Sequence, residues 1–115
     1  MKNKNKFKIS IIVVSLNTKK LFLKTIKSIL NQKYKNFEII VVDGKSKDGT
    51  INEIRKIKNK KFQFIIEKDK GIYDAMNKGV SKCSGSWVIF LNSGDMFSNK
   101  NVLNKISKKK INKAD

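Results

Sequence analysis

The chain has 115 residues, one cysteine and no histidine, and its 27 Lys and Arg against 9 Asp and Glu give a net charge of +18. That length is typical of one domain; one cysteine excludes a disulfide framework, and the lack of histidine excludes a Ser-His-Asp triad or a zinc site of His and Cys ligands. No apolar run approaches the roughly 20 residues of a membrane span. Because the chain has a single cysteine, we expect the protein in the reducing cytoplasm.

Two hydrophobic periods alternate along the first half of the chain. The stretch 8–15 is a continuous, largely β-branched run, which is typical of a strand buried on both faces. Apolar residues at helical spacing follow over 22–30, and a second buried strand is predicted at 37–42. Residues 50–53 (TINE) have the spacing of a capping box, which predicts the start of a second helix.

The same alternation continues through the second half. A third strand is predicted at 62–66, a third helix at 72–80, a fourth strand at 86–91 and a last helix around 102–106. The order βαβαβαβα is typical of an α/β, Rossmann-like fold, in which a parallel sheet is flanked by helices. Such sheets bind ligands outside the carboxyl ends of their strands.

We interpret residues 1–115 as a single domain with a core over about 8–98, because no linker or internal repeat interrupts the pattern. The ends, 1–7 and 107–115, are rich in lysine and are predicted to be basic tails. The basic start and the apolar stretch 9–16 also fit a signal peptide. That stretch is short and lacks a small-residue cleavage site, which favours a first strand.

The excess of lysine has two explanations. Lys, Asn and Ile make up 55 of the 115 residues, and AT-rich codons encode these residues. The chain has a single arginine, Arg55, whereas base and phosphate recognition favours the planar fork of arginine. A dedicated role in binding nucleic acid is therefore not favoured, although a charge of +18 attracts phosphate groups and anionic lipids in either case.

Polar residues cluster where the predicted strands end. The first strand is followed by Ser15 and Asn17, the second by Asp43 and Gly44, and the fourth by residues 92–95 (NSGD). Two separate strands therefore bring an acid to the same edge of the sheet. A strand-end aspartate such as Asp43 is equally well explained as a turn former.

The remaining polar candidates have simpler explanations. Ser46 and Asp48 fit turn or cap residues before the second helix, and Asp69 and Asp74 lie near the start of the third helix, where the helix dipole favours an acid. Neither GxGxxG nor GxxxxGK is present, so no dinucleotide fingerprint and no P-loop is predicted. A bound diphosphate would need a metal on Asp95, a helix N-terminus or lysines.

Three segments, in this order, resemble the motifs of family 2 glycosyltransferases. Residues 41–50 (VVDGKSKDGT) resemble the VVDDGSxDGT segment, and residues 69–79 (DKGIYDAMNKG) resemble the NxGxxxARNxG helix in its bacterial surface-polysaccharide form. Residues 90–95 (FLNSGD) fall where the family carries its metal-binding FLDxDD. With the opening strand, the resemblance covers residues 9–97 and implies a GT-A fold.

The resemblance implies a site for a nucleotide-sugar donor, a UDP-sugar first of all. It implies inverting transfer of the sugar to a glycan or lipid-linked acceptor, in cell-surface polysaccharide or glycan synthesis. Asp95 would ligate Mg²⁺ or Mn²⁺ against the diphosphate, and Asp43 would accept a hydrogen bond from the imide N–H of uracil. The other implied positions are Ser15 and Asn17 beside the nucleoside, Gly44 and Ser46 in the turn against the nucleotide, and Asp74 and Asn77 beside the donor sugar.

The chain departs from the family pattern in two ways. Only the last acid of the metal motif remains, as Asp95, and the general base of the family is expected beyond residue 115, so no catalytic residue is assigned. We interpret the chain as the N-terminal, nucleotide-binding half of a glycosyltransferase. An open side of the sheet is expected to favour self-association, and the lysines favour a peripheral position at the inner face of the plasma membrane.

Two other functions are compatible with parts of the sequence. A non-catalytic basic α/β module that binds nucleic acid or an anionic membrane surface accounts for the charge, but acids at the binding edge would repel phosphate. A doubly wound phosphoacceptor domain requires clustered acids after the first strand, where this chain has Ser15, Leu16 and Asn17.

Overall fold

The computed structural model describes residues 7–113 and confirms the predicted alternation of strands and helices. None of the helices in this range is long and apolar enough to cross a membrane. The elements are β1 (Ile9–Ser15), α1 (Lys19–Leu30), β2 (Phe37–Asp43), α2 (Thr50–Arg55), β3 (Phe62–Ile66), α3 (Ile72–Val80), β4 (Trp87–Asn92) and α4 (Val102–Lys113).

The strands form one parallel sheet in the order β3-β2-β1-β4. β1 lies inside the sheet, with Ile9 opposite Phe37 of β2 and Trp87 of β4. At the other end of the same ladder, Ser15 lies opposite Asp43. The chain adds β2 and β3 on one side of β1 and then returns to add β4 on the other, so the topology reverses between β1 and β4.

Helices cover both faces of the sheet, which explains why its inner strands are apolar on both faces. α1, α2 and α4 pack on one face, where Val13, Phe22 and Leu103 belong to the larger core cluster. α3 packs on the other face, where Ile12 and Ala75 belong to the smaller cluster. Nearly every residue of β1 and all of β2 are buried, as the apolar runs predict.

The close approach of α3 to the sheet depends on Gly79. A Cβ atom at this position would come within 2.6 Å of Cγ2 of Ile12, closer than two carbon atoms can pack. Any side chain at position 79 would push the helix away from β1. Gly79 therefore sets the distance between α3 and the sheet.

β4 is an edge strand, and apolar side chains around it remain exposed. Phe90 on β4 is 43% exposed, and Ile72 and Tyr73 at the start of α3 are 47% and 79% exposed. This is the open side of the sheet that the sequence led us to expect. Self-association through it stays a prediction.

The predicted carboxyl-terminal boundary was wrong. Residues 107–113, predicted as a basic tail, continue α4, and Ser107 is buried. The core extends beyond residue 98, because Leu103 is completely buried and its backbone N–H donates to Oε1 of Gln32 at 3.0 Å. Exposed lysines such as Lys108 and Lys109 make this part of α4 resemble a tail in composition, although Leu103 and Ile106 at the start of the helix pack on the core.

The amino-terminal boundary of the core was placed too late. Phe7 packs against the core, and its backbone oxygen accepts hydrogen bonds from the Tyr34 hydroxyl and from the Asn36 amide. The rest of the predicted tails, residues 1–6 and 114–115, lies outside the described residues.

The predicted capping box of α2 was also wrong. Thr50 is the first helical residue, and the cap is Gly49, at φ 99°. Asp48 accepts hydrogen bonds from the Thr50 hydroxyl at 2.5 Å and from the Thr50 backbone N–H at 3.1 Å, which makes Asp48 a turn residue before the helix, one of the two roles that the sequence allowed. The Thr50 hydroxyl above all, and then the backbone N–H of Lys19, hold the pKa of Asp48 below its usual range.

A buried carboxylate stabilises the amino-terminal end of the sheet. Glu38 on β2 accepts hydrogen bonds from the Ser10 hydroxyl at 2.5 Å and from the Ser84 backbone N–H at 2.6 Å, and Nζ of Lys8 lies 3.4 Å away. Burial by itself raises the pKa of Glu38, but the hydrogen bonds from Ser10 and Ser84 and the charge of Lys8 outweigh it and hold that pKa below its usual range. Folding therefore favours the ionised form.

Replacing Glu38 by glutamine should lower the free energy of unfolding by about 1–3 kcal/mol at neutral pH, because the charged hydrogen bonds of this cluster are lost. A carboxyl whose pKa is lowered by folding stabilises the protein above its unfolded pKa. That contribution disappears as the pH falls through the lowered folded pKa. Urea unfolding at neutral and acidic pH should show a difference between wild type and E38Q that shrinks in acid.

The matched control is Glu53→Gln, which removes a surface ion pair with Lys56 and should change the unfolding free energy by less than about 1 kcal/mol. The account of Glu38 is wrong if E38Q is as stable as wild type at neutral pH, or if the difference between the two proteins does not depend on pH.

Candidate functional site

A cavity of about 290 Å³ opens at the carboxyl ends of β1 and β4, where the sheet topology reverses. Open parallel sheets bind their ligands at this position. Four parts of the chain form its walls: the end of β1 with the turn after it, the β3–α3 loop, the start of α3, and the end of β4 with its turn. The lining residues are Val14, Ser15, Leu16, Thr18, Asp69, Gly71, Ile72, Ala75, Asn92 and Ser93.

Two other concavities of the described surface lie away from the strand ends. One, between α1 and residues 96–100, is lined by Lys24, Lys27 and Lys100, and another lies along α4. No acid lines either of them in the described part of the chain. The cavity at β1 and β4 differs from both, because a carboxylate, amides and hydroxyls converge on it.

One wall of this strand-end cavity contains an unsatisfied hydroxyl. Among the described side chains, Oγ1 of Thr18 is the only buried polar atom without a hydrogen-bond partner. Thr18 precedes α1 at the position where a threonine usually caps the helix, yet its side chain makes no cap bond. A buried hydroxyl without a partner is rare in folded proteins, and Thr18 also belongs to the residues that line the cavity.

The carboxylate of Asp43 is enclosed by its own chain. Asp43 is completely buried, and its Oδ1 accepts hydrogen bonds from the hydroxyls of Ser15 at 2.6 Å and Ser46 at 2.7 Å. Its Oδ2 accepts the backbone N–H of Ser46 at 2.7 Å. Asp43 is thus the turn former that the sequence allowed, and because it is completely buried a ligand reaches its carboxylate only if neighbouring groups move.

Asn17 and Ser46 connect the two loops that follow β1 and β2. The backbone N–H of Asn17 donates to Oγ of Ser46 at 2.8 Å, and Oδ1 of Asn17 accepts the backbone N–H of Lys47 at 2.7 Å. Asn17 has a positive φ of 53°, which asparagine tolerates better than most residues. The structure therefore brings Ser15, Asn17, Asp43 and Ser46 together, as one network of hydrogen bonds.

Asp69 is a residue of the cavity that the sequence analysis did not assign to the site. It lies in the β3–α3 loop, and its Oδ1 accepts the backbone N–H of Gly71 at 3.0 Å. A Cβ atom on Gly44 would come within 2.9 Å of its Oδ2, so the Asp69 carboxylate lies directly against Gly44. Its position just beyond the third strand was the signal in the sequence.

The two predicted residues of α3 do not line the strand-end cavity. Oδ2 of Asp74 accepts the backbone N–H of Lys70 at 2.9 Å and lies 3.5 Å from Nζ of Lys78. The Lys70 N–H above all, and then the charge of Lys78, hold the pKa of Asp74 below its usual range. Asn77 is exposed one turn further along the helix. A role for either beside a donor sugar stays a prediction.

Asp95 lies in the turn after β4, next to the cavity residues Asn92 and Ser93. It is exposed, its Oδ2 accepts the backbone N–H of Asn92 at 2.8 Å, and its own N–H donates to the Asn92 carbonyl at 2.9 Å. Gly94 makes this turn possible with a φ of 105°. The turn therefore holds an exposed carboxylate close along the chain to Asn92 and Ser93, which line the cavity.

Asp95 by itself provides only part of the ligand set of a metal ion. No group of three or more acids, cysteines or histidines among residues 7–113 is arranged to hold a metal ion. The single carboxylate of Asp95 nevertheless suits Mg²⁺ or Mn²⁺, because such ions are commonly held by one or two carboxylates together with substrate phosphates and water. The donor set therefore fits a cation that arrives with a phosphorylated ligand.

Comparison of the sequence and the fold with known proteins gives consistent results. A protein described as an uncharacterized glycosyltransferase of Rickettsia bellii is 39% identical over 93 residues, which are 78% of this chain and 13% of that protein. The structure of S. aureus TarS 1-349 in complex with UDP-GlcNAc matches with a TM-score of 0.77 at 28% identity, over 88% of this chain and 30% of that one.

The mannosyltransferase PcManGT from Pyrobaculum calidifontis, in complex with GDP-Man and Mn²⁺, matches with a TM-score of 0.79 at 22% identity, over 87% of this chain and 31% of that one. At this identity the likeness shows the fold, which is the GT-A fold of glycosyltransferases. The chain spans less than a third of the length of each of these three proteins. The family model "Glycosyl transferase family 2" matches residues 10–112, nearly the whole described range, and the chain belongs to this family.

Proposed function

We propose that this chain forms the donor-binding part of an enzyme that transfers a sugar from a nucleoside diphosphate sugar to a glycan or lipid-linked acceptor. The observation that carries the proposal is the cavity at the topological switch, which has an unpaired Thr18 hydroxyl in its wall and a lone carboxylate, Asp95, beside it. Membership of glycosyl transferase family 2 supports the reaction class. The UDP-GlcNAc of the TarS structure and the GDP-Man of the PcManGT structure support the class of donor.

The chain's own residues define how a donor would lie. Asp95 follows β4, so the diphosphate belongs at this end of the cavity, and the nucleoside extends across β1 towards Leu16 and Asp69. Ser15, Asn17 and Ser46 are already fixed by hydrogen bonds around Asp43, which gives the nucleoside end a rigid floor. A pre-formed floor reduces the entropy lost on binding.

We assign Asp95 to a divalent cation, Mg²⁺ or Mn²⁺. When bound, such an ion stabilises the negative charge that develops on the departing nucleoside diphosphate. The proposed reaction is a single displacement with inversion at the anomeric carbon. No residue of this chain is assigned as the general base that takes the proton of the acceptor hydroxyl.

The surroundings of the site support a particular setting. The net charge of +18 and the exposed lysines of α1 and α4 favour anionic surfaces. A peripheral position at the inner face of the plasma membrane would bring the site close to a lipid-linked acceptor for surface polysaccharide or glycan synthesis. This position is part of the proposal.

Magnesium should raise the affinity of the chain for UDP about tenfold or more, and Asp95→Asn should abolish this gain, because Asp95 would hold the ion and the ion would offset the charge of the diphosphate. Amide NMR of the ¹⁵N-labelled chain measures both effects, with shifts expected at residues 92–95 and around Thr18. Glu53→Gln, on the surface of α2, is the control and should behave as wild type.

Two outcomes would contradict the proposal. A well-dispersed spectrum that does not respond to UDP or GDP, with or without magnesium, excludes a donor site. Binding that ignores magnesium and weakens steeply with salt would instead indicate the basic binding module.

Thr18→Val should separate ligand binding from stability. The variant removes a hydroxyl that lacks a partner in the free protein, so the free energy of unfolding should stay the same or rise by up to about 1 kcal/mol. The affinity for UDP should fall about three- to tenfold, because the ligand loses the hydrogen bond that this hydroxyl offers. Urea unfolding and a UDP titration of the same sample measure the two effects, and unchanged UDP affinity contradicts the assignment of Thr18.

A further inference from the structure

We infer that one basic face of the protein, formed by α1, residues 96–100 and α4, binds the surface of an anionic lipid bilayer. The inference rests on the proposed function, and it assigns the membrane contact of that proposal to a definite part of the fold. We call this face the α1–α4 surface. Its basic residues are Lys24, Lys27, Lys100, Lys105, Lys108 and Lys109, all of which are exposed.

The α1–α4 surface is continuous across these three parts of the chain. A concavity of about 290 Å³ lies between α1 and residues 96–100, and its lysines are Lys24, Lys27 and Lys100. The concavity along α4 contains the other three lysines. Asn99 lines both concavities, so they adjoin each other, and no acid of the described residues lines either one.

Hydrogen bonds fix the segment after β4 to α1. The backbone N–H of Gly94 donates to Oγ1 of Thr25 at 2.8 Å, and the backbone N–H of Phe97 donates to Oγ of Ser28 at 2.8 Å. The backbone that carries the lysines of α1 is therefore held against residues 96–100. A pre-formed surface of this kind loses less conformational entropy on binding than a flexible basic tail does.

The charges of the α1–α4 surface are not neutralised within the described part of the chain. Its six lysines form no ion pair there, because the lysines that pair with described acids are Lys8, Lys56 and Lys78, which lie outside this surface. Each lysine close to an anionic membrane surface raises the affinity roughly fivefold. The six together can therefore hold the protein on such a membrane.

Exposed apolar side chains among the lysines favour a bilayer over a nucleic acid. Leu23 and Leu30 are exposed and lie four residues before and three residues after Lys27, which places the three on one stripe of α1. Met96 is 60% exposed and lines the concavity beside α1. At a membrane surface such side chains enter the headgroup region while lysines remain at the phosphates. A nucleic acid offers them no comparable apolar layer.

The α1–α4 surface also lies next to the turn that we assign to the divalent cation. Asp95 directly precedes Met96 in the chain, and its neighbour Gly94 is bonded to Thr25 of α1. A bilayer bound to this surface would lie close to the turn at residues 92–95. A lipid-linked acceptor would then reach the donor site without leaving the membrane.

The test measures co-sedimentation of the full chain with vesicles. One set of vesicles contains phosphatidylcholine alone, and the other contains about one-third phosphatidylglycerol, which supplies the negative surface potential. The wild type should bind the anionic vesicles about tenfold or more tightly than the neutral ones. The combined variant Lys24→Gln, Lys27→Gln and Lys100→Gln should lower the affinity for anionic vesicles about 30- to 100-fold.

The matched control is the combined variant Lys58→Gln, Lys60→Gln and Lys82→Gln. These lysines are exposed, lie in the loops before β3 and after α3, and form no ion pair with a described residue. The control loses the same three charges at another part of the surface. It should keep the vesicle affinity within about threefold of wild type.

The double variant Leu23→Gln and Met96→Gln tests the apolar part of the surface without a change of charge. Both side chains are exposed, so we expect the variant to fold. It should lower the affinity for anionic vesicles about three- to tenfold, because less apolar surface enters the headgroup region. Its affinity for polyuridylate RNA should equal that of wild type.

Three outcomes would overturn the inference. Equal losses in the two lysine variants would mean that net charge alone drives binding. Wild-type protein that binds neither kind of vesicle, or both kinds equally, does not recognise an anionic bilayer. Tighter binding to polyuridylate than to anionic vesicles would indicate a nucleic-acid surface. If the variant of the α1 concavity loses its amide dispersion and fails to fold, the vesicle affinity of the Leu23→Gln and Met96→Gln variant decides.

A UDP titration with magnesium separates this inference from the proposed function. All three variants should keep the wild-type UDP affinity, because the substituted residues do not line the strand-end cavity. If the wild type binds UDP but the vesicle results fail, the inference is wrong and the donor site remains. If the vesicle results hold and no nucleoside diphosphate binds, the donor site is wrong and the membrane surface remains.

Discussion

The burial of β1 on both faces is the constraint on which the rest of the structure depends. Its apolar side chains leave no place for a polar group along the strand, except Ser10 and Ser15 near the two ends. Each of these serines donates to a carboxylate of β2, Ser10 to Glu38 and Ser15 to Asp43. The polar groups of the inner strands are therefore concentrated where the strands end, and the reversal of the topology beside β1 opens the cavity there.

The three acids around the strand ends differ in what their surroundings leave free. Asp43 is enclosed by donors of its own chain and fixes the loops after β1 and β2. Asp69 and Asp95 each accept one backbone N–H and keep one oxygen without a described hydrogen bond. The buried acid holds these loops together, and each of the two more accessible acids has an oxygen that a ligand could use. All three residues are aspartates, so the differences between them come from how deeply each carboxylate is buried.

Much of the fold could be predicted from the sequence, because it depends on strong local patterns. The apolar runs of β1 and β2 and the helical spacing in α3 gave the correct elements within about one residue. The α4 boundary could not be predicted as well, because its stability comes from Leu103 and its contact with the distant Gln32, while its composition is that of a tail. The capping box failed because Asp48, just outside it, competes for the N–H of Thr50.

The candidate site was predictable in location and less so in detail. The sequence indicates which residues follow each parallel strand and so reach the edge of the sheet where the strands end. The structure brings Ser15, Asn17, Asp43 and Ser46 together at this edge. Whether a carboxylate faces a neighbour or a cavity depends on contacts between loops, which no local pattern encodes. The exclusion of solvent from Asp43 and the contact of Asp69 with Gly44 are of this kind. Both became visible only in three dimensions.

The most direct test of the donor site uses Mn²⁺ as a paramagnetic probe on the ¹⁵N-labelled chain, with and without UDP. The account predicts little broadening by Mn²⁺ alone, because Asp95 is a single ligand, and strong broadening of the amides at residues 92–95 once UDP is added. Broadening centred elsewhere, for example in the lysine-lined concavity between α1 and residues 96–100, or a response that does not depend on UDP, would contradict it.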